Sequence, residues 1–165
     1  MLGAPVPLRL ILARTDDVVV AILGAAAYPT GVELTLAIRR RTFDPYEHHL
    51  SDPFELHGRP GEPLPPDRLR FGVQFADGRK ATTVDALGAF AAAPDATPEA
   101  PTLVPGHGSG GGGVWDMELW LWPLPPEGPI AFVCEWPSEG IELTRVEIDA
   151  EPILTAAALA EPLWP

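Results

Sequence analysis

The sequence predicts an all-β fold: a mostly antiparallel, two-layer β-sandwich of about eight strands with a short C-terminal helix. Three observations carry that expectation. Residues 114–149, VWDMELWLWPLPPEGPIAFVCEWPSEGIELTRVEID, read as three strands separated by two Pro/Gly turns and hold four of the chain's five tryptophans. The 21 prolines and 16 glycines punctuate many short extended segments. Several of those segments alternate apolar and polar residues, as a strand with one buried face does. Such alternation favours two packed layers over a doubly wound α/β sheet, whose strands are covered on both faces. With 165 residues and 46% hydrophobic content, the chain reads as a single domain with a sizeable core.

The elements follow in order. Val6–Arg14 and Val18–Gly24 are short apolar runs about the turn signal Arg14-Thr15-Asp16-Asp17. The second run is apolar on both faces, which suits a central, doubly covered strand. Tyr28-Pro29-Thr30-Gly31 is a turn. Val32, Leu34, Leu36 and Ile38 then face one way while Glu33, Thr35, Ala37 and Arg39 face the other. Residues 42–67 hold six prolines and no sustained period, so an irregular loop is expected there. Leu69 to Val84 is a hairpin candidate, with Phe71, Val73 and Phe75 on one face and an Asp77-Gly78 signal for a type I′ turn. Val84–Ala93 reads as a short helix or loop. Residues 94–113 read as a second irregular loop, ending in a mobile GHGSGGGG connector at Gly106–Gly113. In the tryptophan-rich segment, Trp115, Met117, Leu119 and Leu121 share one face, and Asp116, Glu118, Trp120 and Trp122 share the other. Pro152 suits a first helical turn, and Ile153, Leu154, Ala157, Ala158 and Leu163 fall near helical spacing.

Charge is unevenly placed. The formal net charge is −12; residues 1–80 balance ten basic against ten acidic side chains, whereas residues 81–165 hold thirteen acidic ones and a single basic one, Arg145. A field of that sign repels nucleic acid and anionic lipid and attracts a basic partner, and it also keeps a tryptophan-rich sheet soluble. Cys134 is the only cysteine, so no intramolecular disulfide forms, and its place in the apolar series Ile130, Phe132, Cys134, Trp136 predicts a buried inert thiol. The opening MLGAPVPLRLILARTDD does not read as a signal peptide, because Arg9 and the prolines interrupt its apolar run. No apolar stretch reaches the ~20 residues that span a bilayer. A cytoplasmic location is the expectation.

Four groups of residues are candidates for chemistry. His48, His49 and His57 lie near Asp44, Glu47, Asp52 and Glu55, a mixture that can hold a divalent metal, although the spacing matches no established ligand motif. The Gly106–Gly113 run resembles neither a phosphate-cradling loop nor a nucleophile elbow, since a strand rather than a helix follows it and the residue two before Ser109 is His107. Trp120 and Trp122 form a binding platform if nothing covers them, and core if a second sheet or the terminal helix does; large aromatics are mostly buried. Arg39-Arg40-Arg41 ends a strand, and pairing with the chain's own carboxylates is the economical reading.

The stretches FGVQFADGRKA (71–81) and WPLPPEGPIAFVCEWP (122–137) resemble a group of uncharacterised proteins from actinobacteria, over roughly residues 67–165. That resemblance implies a bacterial origin and carries no known activity, so it transfers no functional residue. No acid–base pair or nucleophile motif points to an enzyme. The sequence therefore favours a non-catalytic cytoplasmic module that binds a protein partner, a basic one by charge, through Trp120, Trp122, Glu118 and Glu135. No nucleic acid, membrane or cofactor is implied. The alternative is a divalent-metal site or metal-dependent enzyme built on His48, His49 and His57.

Overall fold

A computed structural model describes residues 1–42, 64–85 and 100–164. The described residues form ten strands: β1 (Ala4–Val6), β2 (Leu10–Arg14), β3 (Val18–Tyr28), β4 (Gly31–Arg40), β5 (Arg70–Gln74), β6 (Lys80–Thr82), β7 (Thr102–Gly111), β8 (Val114–Trp122), β9 (Pro129–Trp136) and β10 (Ile141–Asp149). A 3-10 turn at Pro137–Glu139 joins β9 to β10, and a seven-residue helix α1 (Glu151–Ala157) follows. The chain is thus an all-β sandwich with one short C-terminal helix. Among the described residues no helix is long and apolar enough to cross a membrane.

Two antiparallel sheets make the layers. The first runs β1-β3-β4-β8-β7, with β2 also paired to β3, and the second runs β10-β9-β5-β6. Period-two alternation turns one face of each sheet inward. β4 supplies Val32, Leu34, Leu36 and Ile38, and β8 supplies Met117, Leu119 and Leu121. The facing sheet supplies Phe71 and Val73 from β5 and Ile130, Phe132, Cys134 and Trp136 from β9. These residues belong to one contiguous core, in which Phe71 and Phe132 stack with ring centroids 6.3 Å apart. Both edges of β3 are paired, and its outer face is covered only in part: Ala21 and the Ala37 opposite it are buried, whereas Leu23 sits at a bulge and is exposed.

Three local expectations are corrected. Gly106–Gly111 is not a mobile connector but the second half of β7: after an irregularity between Pro105 and Gly108, Gly108–Gly111 pair in register with β8. Gly112 (φ 62°) and Gly113 (φ 84°) then make a two-residue hairpin turn of type I′, which matches the twist of the strands it joins. The β5–β6 hairpin instead uses a three-residue loop, Ala76-Asp77-Gly78, because Phe75 still bonds Arg79 (N to O, 2.9 Å) and only Gly78 takes positive φ. The helix is shorter than the periodic pattern and packs on β1 and β3, burying Ile153, Ala156 and Ala157; it does not reach over Trp120 and Trp122.

Two glycines of the first sheet differ in what surrounds them. A Cβ built on Gly31 would lie 2.7 Å from Cζ2 of Trp120 and 2.5 Å from the Leu121 carbonyl oxygen, whereas one on Gly24 meets nothing within 4 Å. We expect Gly31→Ala to lower stability by ~1–3 kcal/mol through overpacking. Gly24→Ala should be neutral or stabilising by up to ~1 kcal/mol, since it restricts only the unfolded chain. Urea denaturation of the two variants checks the contrast; equal effects would contradict it.

Candidate functional site

The site forms on the outer face of the six-stranded sheet. In β8 the inward residues are buried, so the intervening residues Asp116, Glu118, Trp120 and Trp122 turn outward. Register sets their neighbours. Trp120 lies between Glu33 of β4 and Val104 of β7, and Glu33 in turn lies beside Ala26 of β3. One step along, Glu118 lies opposite Thr35, which lies opposite Gly24. Asp116 lies opposite Ala37, and Trp122 beside Thr102. The sheet thus carries aromatic rings at one end of this face, small residues in its middle and carboxylates around them.

The rings rest on glycines. Trp120 leans over Gly31, as the blocked Cβ position there requires, and the ring of Tyr28 lies over Gly3 in the same way. Tyr28 and Trp120 meet edge to face, with centroids 5.4 Å apart and planes at 65°. Tyr28, Trp120 and Trp122 are all half-buried, each keeping part of its surface in solvent.

Three carboxylates share this face and are treated differently. Asp116 is paired with Arg39 at 2.8 Å, and Arg39 also donates to the carbonyls of Ile38 and Trp115. Glu33 and Glu118 have no ion-pair partner among the described residues. The remaining predicted binding residue, Glu135, belongs to β9 in the other sheet, where it pairs with Arg70 at 2.7 Å. Trp120, Trp122 and Glu118 are therefore brought together, and Glu135 is not. Tyr28 and Glu33 join the site unforeseen. The alternation of β4 put Glu33 on the polar face, but only the β4–β8 register makes it a neighbour of Trp120.

The other candidates find structural places. Arg40 forks onto Glu139 at 2.6 and 2.9 Å and stacks over the indole of Trp136 at 5.4 Å from its centroid. With its side chain 8% exposed, Arg40 ties the first sheet to the turn after β9. Two of the three arginines thus pair with the chain's own carboxylates, as charge balance suggested. Cys134 is buried, and burial pushes its thiol pKa up; its hydrogen-bond partner is the Thr144 hydroxyl, 3.2 Å away, not a base. His48, His49 and His57 lie outside the described residues. Among the described residues no group of three or more His, Cys, Asp or Glu is arranged to hold a metal ion. Glu127, Asp149 and Glu151 line an open concavity of about 540 Å³ with Gly128, Leu154 and Thr155. Asp149 is engaged there by the backbone N–H of Glu151 at 2.8 Å.

The chain matches no protein-family model, no curated protein and no solved structure. The face must be read from its own chemistry, which is that of aromatic rings beside carboxylates. Indole and phenol rings attract cations through their quadrupole, and neighbouring carboxylates add a directional charge.

Asp17 gives a check on the first sheet's charged rim. The Thr42 hydroxyl donates to its Oδ1 at 2.7 Å and is the main cause of a carboxyl pKa held below the ordinary value, with Arg40 and Arg41 adding to it. A carboxyl lowered in the folded state stabilises above its unfolded pKa and loses that contribution as pH falls through the folded one. Thr42→Val should raise the Asp17 pKa toward the ordinary value in an NMR titration. It should also weaken the protein's resistance to unfolding above about pH 5, with the difference from wild type vanishing well below about pH 4. An unmoved Asp17 titration would contradict the assignment.

Proposed function

We propose that the chain is a non-catalytic interaction module that binds a basic protein partner through the outer face of the six-stranded sheet. The observation that carries this reading is the face itself. Trp120 and Trp122 stay half-exposed beside Glu33 and Glu118, two carboxylates that no cation of the described chain neutralises. Apolar surface of this kind, rimmed by charge, is what a protein leaves open for a partner. Trp and Tyr are the residues that most often anchor an interface.

The charge of the second half supports a basic partner. Thirteen acidic residues against one basic residue after position 80 make a negative field. Such a field raises the encounter rate with a cationic surface and repels another copy of the same chain. The buried free thiol of Cys134 suits a cytoplasmic setting, which we take as the place of action. Steering by exposed charge weakens with salt, so the complex should as well.

The test is retention of partners by the tagged full chain in a lysate of its source cells, at low and high salt. A stoichiometric basic protein should be held at low salt and released at high salt. It should be lost on combining Trp122→Ser with Glu118→Lys, and kept in Glu142→Lys, a charge reversal on the edge strand β10 of the other sheet. Absence of a stoichiometric protein, or one indifferent to the Trp122/Glu118 change, would contradict the reading.

A further inference from the structure

We infer that Trp120, Tyr28, Glu33 and Glu118 form a subsite for one arginine side chain of the partner. This rests on the reading above and names the group that is recognised. Three observations lead to it.

The first is geometric. Glu33 stands directly opposite Trp120, where facing Cβ atoms are ~5 Å apart, and Glu118 stands two residues along the same strand face, ~7 Å away. A cation over the indole sits within ~6 Å of the ring centroid; Glu33, directly opposite, is the nearer carboxylate, and Glu118 stands on the Thr35 side, away from the Gly31 side over which the ring leans. Tyr28, edge to face with Trp120, walls another side. The space beside them is kept open by small residues: Ala26 lies opposite Glu33, and Gly24 lies opposite Thr35 with nothing within 4 Å of a Cβ placed on it.

The second is charge. Of the three outward carboxylates on β4 and β8, Asp116 has its own arginine. Glu33 and Glu118, the two that neighbour Trp120, do not. Arg39, the cation on the same face, is already held by Asp116 and two backbone carbonyls. The indole and its two carboxylates therefore lack a counter-ion from the described chain.

The third is that the chain builds the completed arrangement elsewhere. Arg40 stacks 5.4 Å from the Trp136 ring while forking onto Glu139 at 2.6 and 2.9 Å. The outer face repeats the indole and the carboxylates without the guanidinium. A planar guanidinium can lie on an indole and still fork toward a carboxylate in its own plane, which an ammonium cannot do. A guanidinium therefore suits this face better than an ammonium.

The experiment is an NMR titration of the intact chain at low ionic strength. The probe is the capped pentapeptide acetyl-Gly-Gly-Arg-Gly-Gly-amide, compared with the same peptide carrying lysine or citrulline. The Trp120 indole N–H should shift saturably with the arginine peptide, less with lysine and not with citrulline. The Trp136 indole should stay in place. Combining Glu33→Gln with Glu118→Gln should weaken binding about tenfold, while Glu142→Gln should not. No saturable shift, an equal response to citrulline, or unchanged binding in the Glu33/Glu118 variant would overturn the subsite; an equal or stronger response to lysine would overturn the guanidinium assignment. The same variant separates this inference from the reading beneath it. If a partner is retained from lysate unchanged by Glu33→Gln with Glu118→Gln, the arginine subsite fails and the interaction face stands. If the peptide saturates but no stoichiometric partner exists, the interaction reading fails and the cation subsite stands.

Discussion

The antiparallel pairing of β4 with β8 is the constraint on which the rest of the structure depends. Its register sets Leu34 against Leu119 and Leu36 against Met117 on the inner face. The same register sets Glu33 against Trp120, Thr35 against Glu118 and Ala37 against Asp116 on the outer one. A slip of one residue would turn every one of these side chains to the opposite layer. Core and candidate site are consequently two readings of one ladder. The buried leucines hold the register by the apolar area they remove from water, and the register in turn assembles the aromatic and acidic face. Gly31 completes the link: it lies under the Trp120 ring, so the face can form without pushing the strands apart.

The contrast between Trp136 and Trp120 shows how the chain uses the same chemistry in two ways. Trp136 is buried, stacked under Arg40, with Glu139 neutralising the charge. There the arrangement joins the two layers at the end of β4. A mostly buried ion pair is costly to desolvate, and the bidentate geometry with the stacked indole offsets that cost. Trp120 is half-exposed, and its neighbouring carboxylates have no such counter-ion among the described residues. The first arrangement is complete within the fold, and the second leaves its carboxylates without an ion-pair partner among the described residues.

Much of the fold was legible because alternation is a local signal. β4, β5, β8 and β9 carry it in their own side chains, and turn residues mark their ends. The second half of β7 was not legible. GHGSGG has the composition of a flexible connector, and a glycine strand has no side chains to announce a face. Its order is supplied by the partner strand: the Met117 and Trp115 side chains spread over Gly108 and Gly110, and β8 provides the hydrogen bonds. The Gly112-Gly113 turn was a readable hairpin signal that composition masked. The helix pattern continued past its true end and said nothing of which layer it would cap. In the site, Trp120, Trp122 and Glu118 were visible as one strand face. Tyr28 read only as a turn residue, and Glu33 only as the polar side of another strand. Glu135 looked equivalent to Glu118 because both are acidic residues in neighbouring strand patterns; the sheet to which each strand belongs, fixed by long-range pairing, separates them.

Trp120 and Trp122 keep part of their surface in solvent, while Trp136 of the core does not. Fluorine NMR of the chain labelled with 5-fluorotryptophan, recorded with a soluble gadolinium chelate, tests it directly. Trp164, 81% exposed, and Trp136, 2% exposed, give the two limits within one spectrum. The Trp120 and Trp122 resonances should broaden to a degree between those limits and clearly more than that of Trp136. If both were as protected as Trp136, the face would be covered and could not serve as a surface for a partner.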